Sequence, residues 1–265
     1  MILDELAAYA RIRTERAKAG KPLEKVKEEA LLLAEREKEK AFRFEKALQK
    51  KGLSFICEVK KASPSKGMIS EDFPYMEIAA AYEEAGADAV SCLTEPKWFL
   101  GSDEIFRRIR AKISLPMIRK DFTVDEYQIY EAKTMGADAV LLICALLEEE
   151  TIRKFLAICD RLGMSAFVEA HDEAEIRCAL SAGARLVGVN NRNLKNFTVD
   201  FENSVRLRGL VPEGVTFVAE SGVGGPEDVR ALARLGADAA LIGETLMRAE
   251  DKRAALALLR EAAQT

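Results

Sequence analysis

The chain has 265 residues, 49% of them hydrophobic, with 40 Lys and Arg against 44 Asp and Glu for a formal net charge of −4. That length suits one α/β barrel, which takes about 250 residues, and it can bury a sizeable core without disulfides or metals. The acidic balance argues against a nucleic-acid footprint. The longest apolar run, Ala139 to Leu147, is too short to span a bilayer, and a start charged from Asp4 onward is no signal peptide. The expectation is a soluble, cytoplasmic protein.

Residues 1 to about 50 read as helix. Leu3, Leu6, Ala7, Ala10 and Ile12 form an apolar stripe, Pro22 stands near a second helix start, and the alternating charges that follow suit a solvated helix face. From residue 54 short apolar runs alternate with helical segments. There are eight: SFICEVK, AVSCLTE, PMIRKDF, AVLLIC, SAFVEA, LVGVNNR, VTFVAESG and AALIGE. Such alternation implies parallel βαβ units. A phrase recurs before four strands, as AGADAV, MGADAV, AGARLV and LGADAA. Its glycines, Gly86, Gly136, Gly183 and Gly236, stand about two βα units apart. A glycine there caps the preceding helix, because it tolerates positive φ. Eight regular units predict a closed (β/α)8 barrel, residues 51–265, behind a helical extension of residues 1–50, in one structural domain overall.

The five cysteines, Cys57, Cys92, Cys144, Cys159 and Cys178, form no CxxC pair, and three lie in strand-like runs where a thiol packs as a small hydrophobe. His171 is the only histidine and reads as a loop residue, not a catalyst. No HExxH or other zinc spacing occurs, so any chemistry leans on Lys, Glu, Asn and Arg.

In a barrel of this class the active site lies at the C-terminal ends of the strands. The polar residues collect there: Glu58 and Lys60 at the first strand, Lys120 at the third, Glu169 at the fifth. Asn190 and Arg192 follow at the sixth, Glu220 and Ser221 at the seventh, Gly243 and Glu244 at the eighth. The glycines after strands seven and eight suit phosphate binding by backbone N–H groups, which a Cβ would hold at a distance. Ser65-Lys66-Gly67 lacks the leading glycines of a P-loop.

EVKKASPSKG at 58–67, TEPKWFLGS at 94–102, IRKDF at 118–122, VEAHDE at 168–173, VGVNNRNL at 187–194, AESGV at 219–223 and LIGETLM at 241–247 together resemble the indole-3-glycerol phosphate synthase family. The resemblance covers about residues 50 to 250, and the helical preface resembles the segment that family adds before its first strand. It implies a decarboxylating ring closure in tryptophan biosynthesis with no metal or organic cofactor, on a small-molecule substrate; the expectation for partners is a monomer without nucleic acid or membrane. It implies Lys120 as general acid, which would need surroundings that lower its pKa, Glu169 as base, Lys60 as an anion-holding lysine that shares in proton transfer, and Glu58 as their orienting carboxylate. Ser63, Asn190, Arg192 and Glu220 match substrate-binding positions. Phe99, Phe122 and Leu194 would form the apolar slot for the aromatic ring. Ser221, Gly222, Gly243 and Glu244 match the phosphate end, Glu244 through its backbone N–H alone. Trp98, the only tryptophan, suits packing equally well. Two other readings stand beside this one: an aldolase using Lys120 or Lys60 as a Schiff-base nucleophile, and a barrel that binds a phosphorylated ligand without turning it over.

Overall fold

The structure, a computed structural model, describes residues 2–193 and 197–264. Eight parallel strands close into a barrel in the order β1-β8-β7-β6-β5-β4-β3-β2. They are β1 (Ser54–Val59), β2 (Ala89–Leu93), β3 (Met117–Lys120), β4 (Ala139–Ile143), β5 (Ser165–Ala170), β6 (Leu186–Asn190), β7 (Thr216–Glu220) and β8 (Ala239–Ile242). All eight coincide with the runs expected from sequence. Just past β1, Ala62–Ser63 and Gly67–Met68 pair as a small antiparallel hairpin.

Each strand alternates two faces. Phe55, Cys57 and Val59 point outward into the helix-facing core. Inside the barrel, Ile56, Ala89, Ile118, Ala139, Phe167, Leu186, Val218 and Ala239 form a second apolar cluster. Continuing two residues at a time toward the strand ends, the same inward files become polar: Ile56 leads to Glu58, Ile118 to Lys120, Phe167 to Glu169, Val218 to Glu220. The parity that fills the floor thus also aims the charged groups at the mouth.

The recurring phrase serves the closed end. Gly183 and Gly236 cap their helices at φ 97 and 76, and Gly86 and Gly136 also take positive φ, 82 and 84. The aspartates of that phrase clasp the neighbouring strand: Asp88 accepts from Phe55 N at 2.8 Å, Asp138 from Met117 N at 2.8 Å and Asp238 from Phe217 N at 2.7 Å. AGARLV has Arg185 in that place, which pairs with Glu45 and Asp160 instead.

The N-terminal helices are α1 (Ile2–Gly20), α2 (Leu23–Arg36) and α3 (Arg43–Leu48), with a 3₁₀ turn at Lys38–Lys40 between the last two. In α1, Leu6, Ala7, Ala10 and Thr14 are buried. Ile12 was expected in that stripe, but it is exposed, because two residues from Ala10 is about 200° around a helix. Arg13 bonds Asp121 with both terminal guanidinium nitrogens, at 3.0 and 2.6 Å, which fixes α1 beside the C-terminal end of β3. α2 packs on the helix Glu126–Thr134 outside the barrel. α3 lies at the opposite end: Phe44 and Leu48 are fully buried in the inner cluster, and Glu45 N donates to Ser165 Oγ, at the first residue of β5. The extension therefore runs from the mouth, down the wall, to the floor. No described helix is long and apolar enough to cross a membrane.

Candidate active site

A cavity of about 750 Å³ opens at the C-terminal ends of the strands. Its centre is Lys120, the last residue of β3. The Lys120 ammonium donates to Glu169 Oε2 and to Glu220 Oε2, at 3.0 Å each. All three side chains are buried. A second pair lies beside them: Lys60 donates to Glu58 Oε1 at 2.5 Å, and Ser91 Oγ donates to Glu58 Oε2 at 3.2 Å. Glycine makes room for both carboxylates. A Cβ on Gly188 would fall 2.4 Å from Glu220 Oε1 and 2.2 Å from Phe167, and one on Gly243 would fall 2.5 Å from Glu58 Oε1.

Burial disfavours every charge here, and the neighbours decide which survive. Glu58 would be pushed up by burial, but the Lys60 and Lys120 ammonium groups outweigh it and hold it below the usual carboxylate range. For Glu169 burial is likewise outweighed, by Lys120 and His171, so it too is lowered. Glu220 goes the other way: burial, with the like charge of Glu169, lifts it to about 7 despite Lys120. One of its oxygens, Oε1, is buried with no hydrogen-bond partner. Lys120 reverses the expectation of a lowered pKa. Burial would lower it, but Glu169, Glu220 and Glu58 together raise it well above the ordinary lysine value. The ammonium form is locked in.

Around this centre the cavity has two unlike ends. Phe99, Phe122, Leu93, Leu141 and Ile143 line an apolar part, with Phe99 and Phe122 in tilted contact at 6.0 Å between ring centres. Ser63, Asn190 and Arg192 also line the cavity. Asn190 hydrogen-bonds Glu169 and accepts from Arg192 N at 2.9 Å, while Arg192 Nη1 donates to Phe197 O at 3.2 Å. Leu194 lies outside the described residues. At the other end stand Ser221, Gly222, Gly243 and Glu244. Ser221 and Gly222 both take positive φ, 66 and 87, and the Ser221 carbonyl accepts from Asn191 Nδ2 at 3.0 Å. The Glu244 carboxylate is drawn aside by Lys66, at 3.4 Å, and Arg248, at 3.1 Å, and is held below its usual range against the opposing effect of burial. A phosphate entering there would meet two cations already close by.

Sequence reasoning missed several of these groups. Lys66 and Arg248 line the cavity although neither belongs to a strand. Glu95, fully buried, accepts from the backbone N–H of Lys97, Trp98 and Phe99 at 2.9, 2.7 and 3.0 Å, and so sets the loop that presents Phe99. An acidic residue just before a proline-led loop was the available signal. Ile2, Leu3 and Leu6 of α1 complete the apolar wall, although the helical stripe gave no hint that one end of it faces a cavity. Trp98 does not line the cavity; it packs edge-on against Tyr9 at 5.7 Å.

The closed barrel and the lysine–carboxylate cluster at its mouth define a (β/α)8 barrel with groups at its mouth able to give and take protons. Residues 3–259 match the profile of the family described as indole-3-glycerol phosphate synthase. The chain is 56% identical over 263 residues to the indole-3-glycerol phosphate synthase of Ruminiclostridium cellulolyticum, covering 99% of this chain and 100% of that one. It is 52% identical to the protein of the same name from Endomicrobium trichonymphae, covering 94% and 95%. Among solved structures, 3-hexulose-6-phosphate synthase from Salmonella typhimurium superposes with a TM-score of 0.65 at 14% identity, over 80% of this chain and 99% of that one, a likeness of fold. The chain belongs to the indole-3-glycerol phosphate synthase family.

Proposed function

We propose that this mouth closes an indole ring, converting 1-(2-carboxyphenylamino)-1-deoxyribulose 5-phosphate into indole-3-glycerol phosphate, CO₂ and water. The observation that carries the reading is the Lys120 ammonium between Glu169 and Glu220, at 3.0 Å from each, where an apolar slot meets a glycine-rich polar rim. The aromatic ring lies in the slot of Phe99 and Phe122, and the phosphate lies against Ser221, Gly222, Gly243 and the backbone of Glu244. The Arg192 guanidinium, with Ser63 and Asn190, holds the reacting part of the substrate and its carboxylate.

The ring carbon that bears the carboxylate attacks the ketone carbon. The carbonyl electrons move to oxygen, and Lys120 donates its proton there. A raised pKa does not prevent this, because the acceptor is an alkoxide, a stronger base than a lysine amine. The bond to the carboxylate then breaks, its electrons restore the aromatic ring, and CO₂ leaves. In the last step the new hydroxyl takes a proton from Lys60 and departs as water, while Glu169 takes the neighbouring C–H proton. Lys60, held by Glu58, binds an anionic part of the substrate and shares in this proton transfer.

A Schiff-base aldolase needs a neutral amine, and three carboxylates around Lys120 disfavour that form. The reading also includes a monomer acting on a small molecule in the cytoplasm, without nucleic-acid or membrane partners. The net charge of −4 supports the nucleic-acid part. The extension, residues 1–50, and the barrel, 51–265, work as one structural unit, which the Arg13–Asp121 pair supports. The test mixes purified protein with the carboxyphenylamino sugar phosphate, chelator present, and follows indole fluorescence. Product at catalytic rates is expected. Tight binding without product would reduce the function to ligand binding, and borohydride trapping at Lys120 would favour the aldolase.

A further inference from the structure

His171 stands two residues beyond Glu169, on the same inward parity. Its ring is held from one side: Nδ1 lies 3.0 Å from Glu175 Oε2, and the same carboxylate oxygen accepts from His171 N at 2.8 Å. The His171 carbonyl accepts from Asn203 Nδ2 at 3.0 Å. The other ring nitrogen, Nε2, is buried, has no hydrogen-bond partner, and lies 3.4 Å from Glu169 Oε1. That is the oxygen Lys120 leaves free, since the lysine takes Oε2. A carboxylate on each side of one imidazole decides its proton content. Facing Glu175, Nδ1 carries a hydrogen. A neutral ring would then aim the Nε2 lone pair at a second carboxylate, leaving two electron-rich atoms facing each other in a buried site. A proton on Nε2 removes that conflict.

We propose that His171 is a positioning residue which, as an imidazolium anchored by Glu175, faces Glu169 and keeps it ionised, ready to accept the proton released in the dehydration step. This rests on the base role proposed above for Glu169. The charged groups around the ring are Glu169 on β5, Glu175 on the helix Glu173–Ala182 and Glu220 on β7, with Lys120 of β3 reaching it through Glu169; Asn203, on the helix Glu202–Arg208, is neutral. Burial would lower the imidazole pKa, but these carboxylates outweigh it and raise it.

Because the chain holds one histidine, its Hε1 proton NMR resonance belongs to His171 alone. Its titration midpoint should lie above the ordinary value of about 6.5 and should fall in Glu169→Gln, since coupling between two sites is reciprocal. An unchanged midpoint in Glu169→Gln would overturn the pairing. In steady-state kinetics, His171→Gln should leave KM nearly unchanged and move the acid limb of kcat to higher pH, seen as a several-fold loss at a pH on that limb. That loss should be recovered at higher pH. A uniform loss at every pH would mark a purely structural role and sink the proposal. If His171→Gln does not fold, the NMR comparison alone decides. A wild-type chain that forms no indole product would overturn the reaction, and with it the catalytic purpose of the coupling, while a coupled titration would still support the pairing.

Discussion

Lys120 and Glu220 carry the sharpest consequences for single residues. Lys120→Ala should lower kcat by about 10²- to 10⁴-fold, the range of general acid catalysis, with a much smaller change in KM; equal losses in kcat and 1/KM would contradict a transition-state role. Glu220 makes a prediction about stability. Its folded pKa of about 7 lies above that of an unfolded glutamate, so between those values the folded chain binds more protons than the unfolded one. Stability from this residue is therefore lost as pH rises through that window. Glu220→Gln should remove the loss, stabilising the protein at pH 8 relative to wild type by on the order of 2 kcal/mol and by little at pH 4. Denaturant titrations of both proteins across pH would show it, and a difference independent of pH would mean that Glu220 ionises normally.

At the scale of elements, the sequence was most legible where one period governs. Strand position follows from eight short apolar runs set at a regular βα spacing, so Glu58, Lys120, Glu169 and Glu220, at or just beyond the ends of those runs, could be placed at one mouth from the sequence. His171 does lie in the loop after β5, as the sequence suggested, but nothing local showed that its ring would face Glu169. What stayed hidden comes from distant contacts. Nothing local in α1 announces that Arg13 will meet Asp121, 108 residues away. Asp121 is almost fully buried, while Arg13 keeps 19% of its side-chain exposure. Arg13→Ala should therefore cost on the order of 2–3 kcal/mol, less than the loss of a fully buried partner. Asp121 still accepts from Thr94 Oγ1 and from Phe122 N. Burial pushes its carboxyl up, but Arg13 and Arg119 hold it below the usual range, so this stabilisation exists above the ordinary aspartate pKa and fades as pH falls through the lowered one. The gap between Arg13→Ala and wild type should begin to narrow below about pH 4 and close as pH falls through the lowered Asp121 pKa. A gap that persists there would assign the loss to packing.

For the whole molecule, the extension serves two ends of one barrel, and the two can be separated. Leu6 reaches the cavity, and Phe44 seals the floor. Leu6→Ala should raise KM several-fold and leave kcat nearly intact. Phe44→Ala should cost about 3–5 kcal/mol, as a fully buried phenylalanine does, with KM unchanged once the protein is folded. A raised KM in Phe44→Ala would mean that roof and floor are mechanically linked. The same layout bears on how the chain is born. A ribosome delivers about 5–20 residues per second, so Arg13 waits on the order of 5–20 s for Asp121. Glu45, with Phe44 and Leu48 beside it, waits for Ser165, 120 residues further on. The first part made finds its shelter only long after it emerges, and a nascent chain carries its cork and roof unplaced while the walls are still arriving. Protease added to chains stalled before residue 121 should cut within α1, where complete chains resist; equal resistance in both would show that the extension is sheltered before the barrel exists.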